Sequence, residues 1–233
     1  MGGAATRLGN RAGLCYGLGV GVELIGCLSM KISHIKQQAK RADRYSIFVD
    51  EKYAFSLSES ALLSSGLFIG QELTKDQLAD LKDSSTRDKA YNQALGQLAR
   101  RPRSEWEVRD YLKRKDYDPE LINEVVGRLY KVNLLNDAEF ARMWVDNRRL
   151  LKSTSQRRLQ MELRQKRVAD EVIQQTLAND PTDERQVLSD LIARKRKIAR
   201  FAADDQKLMA YLIRQGFSYE DVKDAMRSLP TSS

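Results

Sequence analysis

The chain has 233 residues, 31% of them charged and 7% aromatic, with a formal net charge of +8. This composition suits long helices better than a sandwich or barrel. The basic balance favours nucleic acid or a negative protein surface over membrane lipid, since no basic helix carries a bulky aromatic face. Two cysteines, Cys15 and Cys27, and one histidine, His34, supply neither a disulfide framework nor a zinc site, and no phosphate-cradling glycine loop is present, so no enzyme, metal or cofactor is expected.

Residues 1–29 hold eight of the thirteen glycines and both cysteines. Arg7 and Arg11 precede an apolar run as in a targeting peptide, but Glu23 interrupts it, no small-x-small cleavage site follows, and it is too broken to span a membrane. It reads as an extension outside the folded protein, with Met30 as the functional start. Residues 30–86 are neutral, with eight basic and eight acidic side chains. Tyr45, Ile47 and Val49, then Tyr53, Phe55 and Leu57, alternate around Asp50-Glu51, the pattern of a β-hairpin. A short helix over Glu59–Ser64 and a turn at Gly66 follow. Thr74 and Gln77 then form a capping box opening another short helix. A lone hairpin is marginal in water, so this region is expected to pack on something else.

From residue 87 onward, 30 basic and 23 acidic residues carry nearly all the excess charge. This segment also repeats. YLKRKDYDPELINEVV (111–126), ELRQKRVADEVIQQTL (162–177) and YLIRQGFSYEDVKDAM (211–226) align, with offsets of 51 and 49 residues. Leu112, Leu163 and Leu212 coincide, as do Tyr117, Val168 and Phe217; Ile122, Ile173 and Val222; Val126, Leu177 and Met226. Each copy resolves into three helices: an apolar-periodic first, a second capped by Ser104, Ser155 or Asp204, and a third starting near Asp118, Ala169 or Ser218. Ala169 is a poor cap. Pro102, Pro119, Pro181 and Pro230 all fall at boundaries. The expectation is a mainly α protein: a small N-terminal hairpin region (30–86), then three tandem three-helix repeats (87–133, 134–181, 182–230) forming an elongated curved array. The shared apolar positions, and Trp106 and Trp144, read as core or inter-helix packing.

The basic residues recur at comparable places. Arg100, Arg101 and Arg103 precede the second helix of copy one, and Lys113, Arg114 and Lys115 end it. In copy two, Arg148, Arg149 and Lys152 lead into Arg157, Arg158, Arg164, Lys166 and Arg167. In copy three, Arg194, Lys195, Arg196, Lys197 and Arg200 close the first helix. Arg157, Gln160, Arg164 and Arg167 fall opposite Leu159 and Leu163. Repetition of this kind builds a stripe suited to phosphates and without base readout. The second helices offer few Asn or Gln positions for reading bases, so sequence-specific DNA binding is not expected.

The stretch from Leu98 to Lys115, the LLNDAEFA motif of Leu134–Ala141 and the segment Arg157–Lys166 resemble the RecX family of recombinase regulators, and the ending YLIRQGFSYEDVKDAM is similar to the family's C-terminus. Where the family carries glycine after lysine, this chain has Asp116 and Arg167. The resemblance implies a cytoplasmic monomer that lies along the RecA–single-stranded DNA filament, usually as an inhibitor of its ATP hydrolysis, strand exchange or growth, and that is open to direct DNA contact. Its implied contacts are Arg101, Arg103, Lys113, Arg114, Lys115, Arg149, Lys152, Arg157, Arg158, Arg164, Lys166, Arg167, Arg194, Lys195, Arg196 and Lys197. The rival reading is an architectural protein that binds naked DNA and needs no recombinase.

Overall fold

The computed structural model describes residues 29–228. The expectations for residues 1–28, and for Pro230, lie outside the described residues.

The N-terminal region is a four-stranded antiparallel sheet in the order β3-β2-β1-β4, built from β1 (Met30–Gln38), β2 (Arg41–Val49), β3 (Lys52–Ser58) and β4 (Glu72–Leu73), with α1 (Glu59–Ser65) between β3 and β4. The hairpin of β2 and β3 lies where alternation places it, with Ile47 opposite Phe55 and Tyr45 opposite Leu57. Its two-residue turn puts Asp50 at φ 48° and Glu51 at φ 64°, the conformation such turns require. The region is larger than a hairpin, because KISHIKQQ is itself a strand. A register shift between Ile32 and His34 breaks the period of two, so Ile32 and Ile35 both turn toward the core from positions that alternation would place on opposite faces.

The helix opened by the Thr74–Gln77 capping box is not short. It is α2 (Lys75–Leu98), 24 residues long, and it runs straight through the boundary expected at residues 86 and 87. Ser84, Ser85 and Thr86 weaken helix propensity. The fold overrides this by burying Ser85, whose hydroxyl donates to Ser56 O at 2.7 Å. The first half of α2 places Leu78 and Leu81 on the sheet, and the second half contributes Ala90 and Ala94 to the next core. One helix therefore joins the sheet to the first helical unit.

The helical array follows: α3 (Glu105–Lys113), α4 (Pro119–Lys131), α5 (Asp137–Leu151), α6 (Gln156–Gln165), α7 (Asp170–Ala178), α8 (Glu184–Arg196), α9 (Ala199–Ala202), α10 (Asp205–Arg214) and α11 (Tyr219–Ser228). The repeat alignment holds in three dimensions. Leu112, Leu163 and Leu212 are each wholly buried, at the centres of three separate cores. Each such leucine contributes roughly 2 kcal/mol by its burial. Ser104, Ser155 and Asp204 accept the backbone N–H groups of Glu107, Arg158 and Lys207 as N-caps, whereas Ala169 makes no side-chain cap bond. The third unit differs by the extra single turn α9, so Arg200 lies beyond the end of α8.

The residues at the family's glycine positions keep the turn after the second helix. Asp116 and Arg167 adopt φ 58° and 57°, and Gly216 adopts φ 95°. The first two values lie inside the small left-handed region open to L-residues, at a cost of about 1–2 kcal/mol each, and the third lies outside it.

Candidate nucleic-acid interface

The second helices α3, α6 and α10 form one column, and two equivalent hydrogen bonds join each neighbouring pair of units. The wholly buried Ser104 donates from Oγ to Lys166 O at 2.8 Å, and the wholly buried Ser155 donates to Gln215 O at 2.8 Å. At the same helix starts, Glu105 N–H donates to Asp137 Oδ1 at 2.7 Å, and Gln156 N–H donates to Glu184 Oε1 at 3.0 Å. Thus α3 and α6 each set their N-terminus against the C-terminal turn of the second helix in the next unit, placing opposite dipole ends together. Among the described residues, side-chain hydrogen bonds between helical units join only neighbours in the chain.

A chain of charges reinforces the column. Glu107 receives two bonds of 3.0 Å from the Arg101 guanidinium and one of 2.7 Å from Lys166 Nζ, across the joint between the first two units. Burial pushes the Glu107 carboxyl up, but those hydrogen bonds and charges outweigh it and hold the group at about 2. Lys166 also stands 5.3 Å from the Trp144 ring centroid, Trp144 Nε1 donates to Glu162 at 3.0 Å, and Arg148 and Arg158 share that carboxylate. Arg158 extends to Arg214 O at 3.2 Å and so reaches the third unit.

A pH effect follows with a definite sign. A carboxyl held below its ordinary value stabilises the fold above that ordinary value, near 4.5, and loses the contribution as pH falls toward 2. Glu107→Gln is expected to lower stability by about 2 kcal/mol at pH 7, allowing for the half-exposed Arg101. Denaturant unfolding at several pH values should show the gap between variant and parent closing below pH 4.5.

This arrangement divides the sixteen cations singled out from sequence. Several are occupied inside the molecule. Arg101 and Lys166 hold Glu107, and Arg103 Nε donates to Gln97 O at 3.1 Å. Arg149 is largely buried on Asp180 at 2.8 Å, and Arg158 spans the second joint. Arg194 donates to Ser153 at 2.9 Å, Lys195 lies 4.8 Å over Tyr211, and Arg196, only 15% exposed, pairs with Asp205 at 3.3 Å. Each of these cations meets a carboxylate, a carbonyl, a hydroxyl or a ring of its own chain, within one unit or across a joint. Arg114 and Arg164 make exposed pairs with Asp110 and Asp170, which compete weakly with solvent. Lys113, Lys115, Lys152, Arg157, Arg167 and Lys197 are exposed, with no ion pair or side-chain hydrogen bond among the described residues.

The outer face of the column was only partly foreseen. Aligned on the shared leucines, Trp106, Arg157 and Gln206 are equivalent, as are Lys113, Arg164 and Ile213. Trp106 is 42% exposed and stands one seven-residue step from Lys113, so it is not the core residue expected. The signal lay in the alignment, since its counterparts Arg157 and Gln206 are both outward-facing. The third unit adds no charge at these places.

The architecture is a sheet-capped column of tandem three-helix units with cations on its outer face. Comparison with known proteins supplies the family. Residues 90–129 match the first three-helix domain of RecX, 136–177 the second, and 30–74 the N-terminal domain of regulatory protein RecX. The chain is 34% identical over 202 residues to regulatory protein RecX of Listeria welshimeri, covering 84% of this chain and 74% of that one. Against the protein of the same name from Bacillus velezensis it is 33% identical over 199 residues, with 84% and 76% covered. The crystal structure of a regulatory protein RecX superposes with a TM-score of 0.63 at 28% identity, over 84% of this chain and 99% of that one. RecX from Lactobacillus salivarius, at 24% identity and a TM-score of 0.55 over 61% of this chain and 96% of that one, shares the fold. The chain belongs to the RecX family. No helix among the described residues is long and apolar enough to cross a membrane.

Proposed function

We propose that this protein regulates the RecA recombinase by lying, as a monomer in the cytoplasm, along the RecA–single-stranded DNA filament and limiting its ATP hydrolysis, strand exchange or growth. The observation that carries the reading is the set of unoccupied cations on adjoining units: Lys113 and Lys115 at the end of α3, and Arg157 and Arg167 on and after α6. The joints hold these groups on one column of helices, so they meet an extended anionic surface with little ordering of the backbone. Lys152 and Lys197 are the remaining exposed cations of the proposed set. The reading requires that function depend on the filament and not on DNA alone.

The test is ATP hydrolysis by RecA already assembled on single-stranded DNA, followed while the protein is titrated in. Inhibition well below one protein per recombinase, where naked DNA is unbound, is the expected outcome. Unaltered hydrolysis with binding to bare DNA would favour an architectural role instead.

A further inference from the structure

The outer face of the N-terminal sheet carries a second ordered surface. His34, Phe48 and Tyr53 are partners across three adjacent strands, so their side chains share one rung on the face opposite Ile47 and Phe55. His34 and Phe48 lie edge-to-face with centroids 6.3 Å apart, and Phe48 and Tyr53 likewise at 6.1 Å. On the next rung stand Lys36, Ser46 and Ser56, with Lys36 Nζ 5.4 Å from the Phe48 centroid. Neither rung carries an acid. Glu51, on the turn, is the carboxylate that His34 meets, at 3.4 Å. Cross-strand aromatic contact alone would stabilise the sheet. It does not call for Tyr53 to stand 59% exposed, with a lysine over the adjoining Phe48 ring.

We propose that this face is a stacking platform for single-stranded DNA, with unpaired bases laid on Tyr53 and Phe48 and the backbone tracked by Lys36. The occupant rests on the proposed function, which places the protein on such DNA; the chemistry rests on the sheet. A row of rings gives every base a surface to stack on, and the Lys36 ammonium beside it complements a phosphate. Duplex DNA offers no exposed base faces and gains nothing from the rings. The platform is distinct from the cationic column, since it lies on a different region of the chain and binds through rings rather than charge.

The experiment uses the full chain without recombinase, with a labelled oligothymidylate and a duplex of matched length. Tyr53→Ala is expected to weaken binding to the single strand about tenfold, with duplex binding and the salt dependence unchanged, because no charge is lost. Tyr53→Phe should restore the parent affinity. A bromodeoxyuridine oligonucleotide should photocrosslink to Tyr53 or Phe48. Unchanged affinity of Tyr53→Ala, an equal loss on duplex, or a change in sedimentation of the free protein (a second copy covering the face) would each overturn the platform. Because RecA is absent, failure here leaves inhibition of the assembled filament standing as a separate result.

Discussion

Gly216→Ala is expected to destabilise the third unit by about 3 kcal/mol and to split unfolding into two steps, the third unit melting first. A Cβ at this position would stand 2.4 Å from Ser155 Oγ, 3.2 Å from Arg158 Cβ and 3.3 Å from Arg158 N, on a backbone at φ 95°. The serine cannot swing aside cheaply, because its hydroxyl donates to Gln215 O and accepts from Arg158 N. Backbone strain of about 1–2 kcal/mol therefore adds to overpacking of about 1–3 kcal/mol. Ser155→Ala removes the cap and the joint bond but also the atom that the new methyl would strike. The double variant should consequently lose less stability than the sum of the two singles. Denaturant unfolding of all four proteins provides the cycle, and strict additivity would show that the joint is not where the cost arises.

The same position explains a departure from family pattern. At the equivalent places Asp116 and Arg167 sit at φ 58° and 57°, where a side chain is admitted, and the column keeps its register through both. Sequence alone shows that the glycine is missing. It does not show that the turns differ by nearly forty degrees in φ.

Much of the helical array was legible because repetition multiplies weak signals. A single leucine every 51 or 49 residues means little, but four apolar columns, three caps and prolines confined to boundaries agree. What stayed hidden had physical causes. Strand β1 was obscured by the irregularity between Ile32 and His34, and the length of α2 by serines that only the sheet makes favourable. Tyr53 was seen as a hairpin residue, yet the row it forms with Phe48 and His34 depends on a strand that alternation does not reveal. The cationic site was legible in place and not in detail. Arg157 and Arg158 are adjacent in the chain, but one faces solvent while the other donates to Arg214 O in the next unit. Composition cannot separate a free cation from one that closes a joint.

That separation decides the second large effect. Converting Lys113, Lys115 and Arg157 together to glutamate is expected to weaken filament binding at least about a hundredfold while leaving helicity and the unfolding midpoint near those of the parent. Three phosphate contacts would be lost and three repulsions introduced, and none of these side chains has an ion-pair partner among the described residues to lose. The alanine triple should reduce the slope of log affinity against log salt by about 2 if the contacts are to single-stranded phosphates. Reversing Arg101, Arg158 and Lys166 provides the contrast. It should also abolish binding, but through the joints, with stability falling first because Glu107 and Glu162 lose their partners. Binding measured beside thermal unfolding separates the two sets. If the first triple binds normally, the column is not the contact face. The groove between the first and third helices of the third unit, lined by Asp183, Glu184, Asp221 and Asp224 beside Arg185, is too acidic to replace it against DNA and would point instead to a basic protein surface.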